Sequence, residues 1–291
     1  MIAIDWGTSS CRAYRLDPAG AILERRDSPH GIDRIEGTFA ARLDLMVGDW
    51  LSAGVGPVVM SGMIGSRNGW VEVPYLPCPA GVEEIATGFR EVRWSGHRGW
   101  IAPGLSCRDR DGVPEVMRGE ETQLVGVLDQ LPAAATVCLP GTHSKWVEVR
   151  DGRIVRFTTY LTGEVFATLR DHSILRHGIT AAAPHPEWFA EGLARAATVG
   201  GLLHHLFGVR TRALFAEVPP EGVASYLSGI LIGHELATVV LGVGPLFLLG
   251  AAPLTDLYRQ GLASLGRPAE VLDPDAAARG LSRLARHLPE R

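Results

Sequence analysis

The chain has 291 residues, of which 46% are hydrophobic and 21% charged, with a formal net charge of −4. This is an ordinary folded composition, long enough for two moderate domains. With no dominating basic stripe it excludes a nucleic-acid binder while leaving room for a local cationic pocket. The four cysteines, Cys11, Cys78, Cys107 and Cys138, show no CxxC spacing. That speaks against a zinc site or a disulfide framework and for reduced thiols.

In chain order, Ile2 to Asp5 reads as a short strand ending in the turn Gly7-Thr8. Cys11 to Leu16 and Ala21 to Arg26 follow as strands around the turn Asp17-Pro18-Ala19-Gly20, a β-hairpin. The opening MIAIDWG has neither a basic region nor a long apolar run, so no signal peptide is expected. Asp33 to Ser52 has helical periodicity, with Phe39, Leu43, Met46, Trp50 and Leu51 on one side. Val58 to Met60 is a buried strand. The segment from Ser61 to Gly81 has no period, and an aperiodic loop of that length is usually functional. Gly99 to Ala102 predicts a strand and Glu120 to Leu131 a helix.

Val137 to Leu139 is again a strand ending in Gly-Thr, followed by strands Trp146 to Val149 and Ile154 to Thr159. The remainder is mainly helical: Pro186 to Leu206, Glu221 to Leu241, Leu254 to Ser264 and Asp275 to His287, with strands at Leu246 to Leu249 and Glu270 to Leu272. The apolar stretch from Thr238 to Ala252 is broken by Gly242, Gly244 and Pro245 and is too short to cross a bilayer, so a cytoplasmic location is expected. The alternation points to α/β layers around a central sheet.

The two Gly-Thr turns align. Gly7 matches Gly141, Thr8 matches Thr142, Ser10 matches Ser144 and Asp17 matches Asp151, at a constant offset of 134 residues. Each copy is strand, Gly-Thr turn, strand, charged turn, strand. Glycine lets backbone N–H groups approach an anion, and Thr and Ser add hydroxyl donors. Two such hairpins facing each other would grip the phosphates of a nucleotide. Neither GxxxxGK[ST] nor GxGxxG occurs, which argues against a P-loop enzyme and a dinucleotide fold.

These paired hairpins resemble the two phosphate motifs of the actin, hexokinase and Hsp70 superfamily, whose members have two ribonuclease-H-like lobes around a nucleotide cleft. Within it the chain resembles the 2-dehydro-3-deoxygalactonokinases. The stretches that carry the likeness are IDWGTSSCRAYRLD, SGMIGSRNGWVEVPYLPCPAG, VMRGEETQLVG, CLPGTHSKWVEV, LTGEVFATLRDHSIL and SYLSGILIGHEL, spread from residue 2 to residue 236. The resemblance implies an α/β fold of two lobes. Residues 1–115 would carry the first hairpin and the substrate loop, and residues 116–291 the second hairpin and the adenosine site. It implies ATP and Mg²⁺ as cofactors, and transfer of the γ-phosphate to the 6-hydroxyl of 2-dehydro-3-deoxy-D-galactonate in galactonate degradation. The partners would be that sugar acid and ATP, with no nucleic acid and no membrane; a homodimer is compatible.

On that resemblance Asp5 is the acid that organises Mg²⁺. Gly7, Thr8, Ser9 and Ser10 contact phosphate oxygens, and Arg12 has the guanidinium geometry to reach the transferred phosphoryl. Gly141, Thr142, His143, Ser144 and Lys145 form the opposing cradle. Related sugar kinases place the catalytic base at the start of the helix before the second hairpin, which makes it one of Glu120 and Glu121. The hexokinase type has Asp there, so this pair of Glu is a departure; Gly119 puts Glu120 nearest the helix start. In the Gly62 to Gly81 segment, which would bind the substrate, Arg67, flanked by Gly65-Ser66 and Asn68-Gly69, suits the carboxylate; Ser66 is a further substrate-binding candidate, and Trp70 and Tyr75 offer flat faces to the carbon chain. Thr162 opens a helix facing the cleft, and Gly250 and Ala251 resemble the adenosine-binding turn. Two other readings keep the fold: a kinase for another keto-deoxy acid or a sugar, and a nucleotide-gated regulatory protein that is no enzyme.

Overall fold

Strands and helices alternate along the chain in a computed structural model that describes residues 1–180 and 183–288. They are β1 (Ile2–Trp6), β2 (Cys11–Leu16), β3 (Ile22–Ser28), α1 (Phe39–Ser52), β4 (Val58–Ser61), β5 (Leu76–Pro77), α2 (Val82–Thr87), β6 (Arg90–Trp94), β7 (His97–Ile101), β8 (Leu105–Arg108), β9 (Pro114–Met117) and α3 (Glu120–Val125). Then come β10 (Ala134–Leu139), β11 (Ser144–Arg150), β12 (Arg153–Tyr160), α4 (Thr162–His172), α5 (Pro186–Ala196), α6 (Gly201–Leu214), α7 (Pro220–Thr238), β13 (Leu246–Leu248), α8 (Ala252–Ser264), β14 (Ala269–Val271) and α9 (Ala276–Ala285).

The chain divides into two units. The first comprises Met1–Ala135, Val147–Phe157 and Asp273–Arg291; the second comprises Thr136–Trp146 and Thr158–Leu272. This division differs from a boundary at residue 115, because α3 packs on α9 within the first unit. Gly126 and Gly280 carry that packing: a Cβ on Gly126 would lie 2.0 Å from the Ala276 carbonyl, and one on Gly280 would lie 1.7 Å from the Thr122 carbonyl.

The first unit is built on a six-stranded sheet of order β3-β2-β1-β4-β7-β6. β1 pairs antiparallel with β2 and parallel with β4, and β4 pairs parallel with β7. Side chains alternate across it with the period of two that a strand imposes. Ile2, Ile4 and Trp6, Cys11 and Ala13, and Val58 and Met60 enter one core with Leu43, Val47 and Trp50 of α1. Ala3, Tyr14, Leu16 and Val59 enter the opposite core with Ala278 and Leu281 of α9. Each large apolar side chain so buried contributes roughly 1.5–3 kcal/mol. A smaller sheet of order β5-β8-β9 lies in the same unit.

The second sheet has the order β12-β11-β10-β13-β14, with β10, β13 and β14 parallel. Numbered from its own first strand, its order is 3-2-1-4-5, the order that β3, β2, β1, β4 and β7 have in the first sheet. The doubled hairpin is therefore a doubled sheet topology, the ribonuclease-H-like arrangement of the actin and sugar-kinase folds. Around it, α5 packs along α7, and Phe189, Ile232, Leu236, Tyr258 and Leu262 form a core with Trp146 and Leu248.

Three helices expected from periodicity are shorter than expected. The Asp33 to Ser52 pattern splits into a 3-10 turn at Ile32–Arg34 and α1, whose cap is Thr38, its side chain accepting from the Ala41 N–H at 3.2 Å. The Pro186 to Leu206 pattern breaks at Gly200 and Gly201, both at positive φ (135° and 71°), before α6 restarts. The Glu120 to Leu131 helix ends at Val125 and continues only as a 3-10 turn at Leu128–Gln130, ahead of Pro132. No described helix is long and apolar enough to cross a membrane.

Candidate active site

β1 and β4 run parallel and end side by side, with Asp5 opposite Ser61. Open α/β sheets bind ligands beyond the carboxyl ends of their strands. The Asp5 carboxylate lies 3.6 Å from the Arg12 guanidinium, its cross-strand partner. Burial raises the Asp5 pKa above the usual carboxylate value, and the Arg12 charge offsets only part of the rise. Arg12 also reaches Asp27 at 3.6 Å. Gly7 donates its N–H to the Ser10 carbonyl at 2.9 Å, closing the first turn. The Ile32 and Asp33 N–H groups hold the Gly7 and Thr8 carbonyls from behind, which leaves Thr8, Ser9 and Ser10 exposed.

Backbone contact brings α3 to this edge. Gly62 has φ +92°, and a Cβ there would sit 2.6 Å from the Trp6 carbonyl oxygen; Gly119 has φ +108°, and a Cβ there would sit 3.2 Å from the Gly62 Cα. Only glycine fits at both positions. The stack is tied by Thr122, whose hydroxyl is 3.2 Å from the Ser61 hydroxyl and 2.7 Å from the Gly119 carbonyl.

The two acids at the head of α3 have different surroundings. Glu121 is 1% exposed and accepts the Gly119 N–H at 2.7 Å. Burial, then the neighbouring Glu120 charge, pushes its pKa up to about 8. Glu120 is only half-buried and accepts the Arg118 N–H at 3.0 Å. A base must be ionised before it takes a proton, which favours Glu120 over Glu121 near neutral pH.

The Glu121 shift has a consequence for stability. Its folded pKa stands above the unfolded value of 4.5, so its contribution is fully present below pH 4.5 and is lost as pH rises through about 8. Glu121→Gln cannot ionise and escapes that loss. Relative to the parent, the variant gains about 2–4 kcal/mol between pH 5 and pH 8.5 in urea denaturation; a difference that stays flat with pH contradicts the buried acid.

The candidate residues of the Gly62 to Gly81 segment divide in two. Ser66 is 8% exposed, whereas the Arg67 side chain is 85% exposed and pairs with Glu72 at 3.7 Å on the surface. Trp70 packs into the core, stacked on Phe39 at 6.4 Å and edge-on to Trp94 at 5.4 Å, so it anchors the loop. Tyr75 is 39% exposed and lies over the Arg118 guanidinium at 4.3 Å.

In the second unit the turn after β10 docks on the start of α4. A Cβ on Gly163 would lie 2.3 Å from the Gly141 carbonyl, and the Glu164 N–H donates to the Thr142 carbonyl at 2.9 Å. His143 is exposed and its Nε2 meets the Glu164 carboxylate; Thr142 is exposed too. Ser144 departs from its counterpart Ser10. It is fully buried, its hydroxyl 2.7 Å from the Tyr258 hydroxyl, so it braces the turn from inside. Lys145 is 5% exposed and donates to the Thr159 hydroxyl at 3.0 Å.

Beneath this turn lies Glu235 on α7, 3% exposed. It accepts from Trp146 Nε1 and from the Tyr258 hydroxyl, each at 2.7 Å, and from the Thr162 hydroxyl. Burial raises its pKa and these donors lower it. Beside the network is a cavity of about 750 Å³, lined among others by Gly141, Thr162, Phe166, Ser225, Leu257 and Tyr258. Gly250 and Ala251 are not among its described lining residues: a Cβ on Gly250 would lie 3.5 Å from the Pro140 carbonyl, and Ala251 caps α8, whose Leu254 and Leu257 do line the cavity.

Arg118, Glu235 and, apart from Gly141 and Thr162, the residues lining the cavity had no site role in the sequence analysis. The available signals were a single acid inside the apolar stretch SYLSGILIGHEL, and two serines three residues apart on that helix, Ser225 and Ser228.

A model of the 2-keto-3-deoxy-galactonokinase family matches residues 5–284. A Rhizobium meliloti protein named as a probable 2-dehydro-3-deoxygalactonokinase is 38% identical, covering 98% of this chain and 96% of its own length. The 2-dehydro-3-deoxygalactonokinase of Escherichia coli K12 is 37% identical, covering 95% and 94%. The crystal structure of a Sinorhizobium meliloti protein given the same kinase name on a provisional basis superposes with a TM-score of 0.87 at 37% identity, covering 98% of each chain. With a family match and two relatives spanning nearly the whole sequence, the chain belongs to the 2-keto-3-deoxy-galactonokinase family.

Proposed function

We propose that this protein is a kinase that transfers the ATP γ-phosphate to the 6-hydroxyl of 2-dehydro-3-deoxy-D-galactonate in the cytoplasm. The family match over residues 5–284 carries this reading. Phosphoryl transfer to a hydroxyl needs positioning, charge neutralisation and a base, and the half-buried Glu120 at the head of α3 and the exposed Thr8-Ser9-Ser10 turn support this reading.

In the first unit, Glu120 takes the proton of the acceptor hydroxyl as its oxygen bonds to phosphorus and the bond to the ADP oxygen breaks. Glu121 stays protonated and fixes the start of α3. Thr8, Ser9, Ser10 and Arg12 bind phosphate oxygens. In the second unit, the 750 Å³ cavity takes the nucleoside, and the Gly250-Ala251 turn at the start of α8 lies against the purine. Gly141, Thr142 and His143 form the phosphate turn, while Ser144 and Lys145 hold it from within.

Mg²⁺ fits this donor set. Among the described residues no three His, Cys, Asp or Glu side chains group as ligands. Mg²⁺ in kinases is held by one or two carboxylates plus substrate phosphates and keeps several waters. Asp5, at the strand end beside the first turn, is such a carboxylate, and the ion would neutralise charge on the phosphates.

ADP release by the purified protein tests the reading. The expected result is ATP turnover that depends on the galactonate-derived keto-deoxy acid and is slower with the gluconate-derived one. ATP turnover indifferent to any sugar acid would restore the nucleotide-gated regulatory reading.

A further inference from the structure

The side chain of Arg118 is a charge sealed in the first unit with too few partners. Arg118 is 8% exposed. Its Nη2 donates to the Val73 carbonyl at 2.6 Å. Its Nε and Nη1 are buried and meet no acceptor among the described residues. A guanidinium carries one N–H on Nε and two on Nη1, so three charged donors stand unsatisfied. Buried donors in that state are destabilising, and more so when charged.

The surroundings are built to hold the group there. Val73 donates its N–H to the Gly65 carbonyl at 2.9 Å, which fixes the carbonyl that Nη2 bonds. A Cβ on Gly65 would lie 3.0 Å from Nη1 and 2.9 Å from the Ile101 side chain, so Nη1 faces the Gly65-Ser66 turn. Ser66 is also 8% exposed and its hydroxyl is also without a partner. Tyr75 covers the guanidinium with a ring that is 39% exposed and rests on Gly104.

We propose that Arg118, with Ser66, is the site that recognises the carboxylate of the acceptor, and that Tyr75 is the wall that gives way when the acid enters. The proposal rests on the sugar-acid kinase reading and deepens it. It moves the carboxylate from Arg67, an exposed side chain already paired with Glu72, to a desolvated guanidinium, where the same charge interacts more strongly. It also gives a length criterion. Arg118 stands two residues before Glu120, and its side chain runs to the Gly65 turn while Glu120 stays at the helix start. An acid docked on Arg118 presents its far hydroxyl to Glu120 only if the carbon chain spans that interval.

Steady-state kinetics on Arg118→Met and Arg118→Lys, with melting curves, test the assignment. The substrates are 2-dehydro-3-deoxygalactonate and its carboxamide, which keeps the chain and lacks the charge. Loss of a hydrogen bond to a charged group predicts a KM for the acid about 100-fold higher in Arg118→Met and about 10-fold higher in Arg118→Lys. KM for ATP stays within twofold, the carboxamide is used equally by parent and Arg118→Met, and the Arg118→Met melting temperature stays near that of the parent, since the lost bond to the Val73 carbonyl is offset by removal of three unsatisfied charged donors. A KM for the acid within threefold of the parent in Arg118→Lys, or in a folded Arg118→Met, overturns the carboxylate site and leaves the kinase reading standing. A parent protein that phosphorylates no sugar acid removes both.

Discussion

Glu120→Gln is expected to lower kcat by about 10²–10⁴-fold, the range that a positioned general base contributes. KM for ATP and the melting temperature stay near those of the parent. The expectation follows from the contrast between two adjacent acids. Glu121 is sealed, bonded to the Gly119 N–H and pushed up to a pKa of about 8, so near neutral pH it is mostly protonated and, in that form, too weakly basic to take a departing proton. Glu120 is half-buried at the head of α3, held by the Arg118 N–H. Glu121→Gln copies the protonated form of its parent and is expected to keep most of the activity. The reverse ranking, with Glu121→Gln dead and Glu120→Gln active, would move the base by one residue.

The second large effect is expected at Glu235. Glu235→Ala removes an acceptor that serves Trp146, Tyr258 and Thr162, and leaves three donors facing the space of the lost carboxylate. Breaking a buried, charged network of this kind lowers stability by about 3–5 kcal/mol. On the proposed nucleotide site the damage is expected to spread to nucleotide affinity, because Thr162 and Tyr258 line the cavity and Tyr258 braces Ser144 under the Gly141-Thr142 turn. Urea denaturation checks the first effect and KM for ATP the second. Glu235→Gln, which keeps one carbonyl oxygen, falls between parent and alanine variant. A loss below about 1 kcal/mol for the alanine variant would mean that the three donors find other acceptors.

The doubled topology was legible in the sequence because strands and glycine turns are local. The period of two in Ile2 to Trp6 sorts its side chains onto two faces, and the turn at Gly7 is closed by its own neighbour, the Ser10 carbonyl. What was hidden depends on residues distant in sequence. Ser144 aligns with Ser10, yet one is buried against Tyr258 and the other exposed, since only the second hairpin has α8 behind it. Arg67 has the residue type and loop position of a carboxylate binder, and nothing local reveals that Glu72 holds it at the surface. Arg118 gives no local sign that Val73, Gly65 and Tyr75 enclose it. Glu235 was legible only as an oddity, an acid in a helix apolar nearly all round; its three donors come from residues 146, 162 and 258.

The central claim is transfer of a phosphoryl group to the terminal hydroxyl of a sugar acid, and ³¹P NMR of the product tests it most directly. With ATP, Mg²⁺ and 2-dehydro-3-deoxygalactonate, the account predicts a new monoester signal split into a triplet by the two protons on C6, growing as ADP forms. A doublet would place the phosphate on a secondary hydroxyl, and inorganic phosphate as the sole new signal would mean that water is the acceptor; either result contradicts the account.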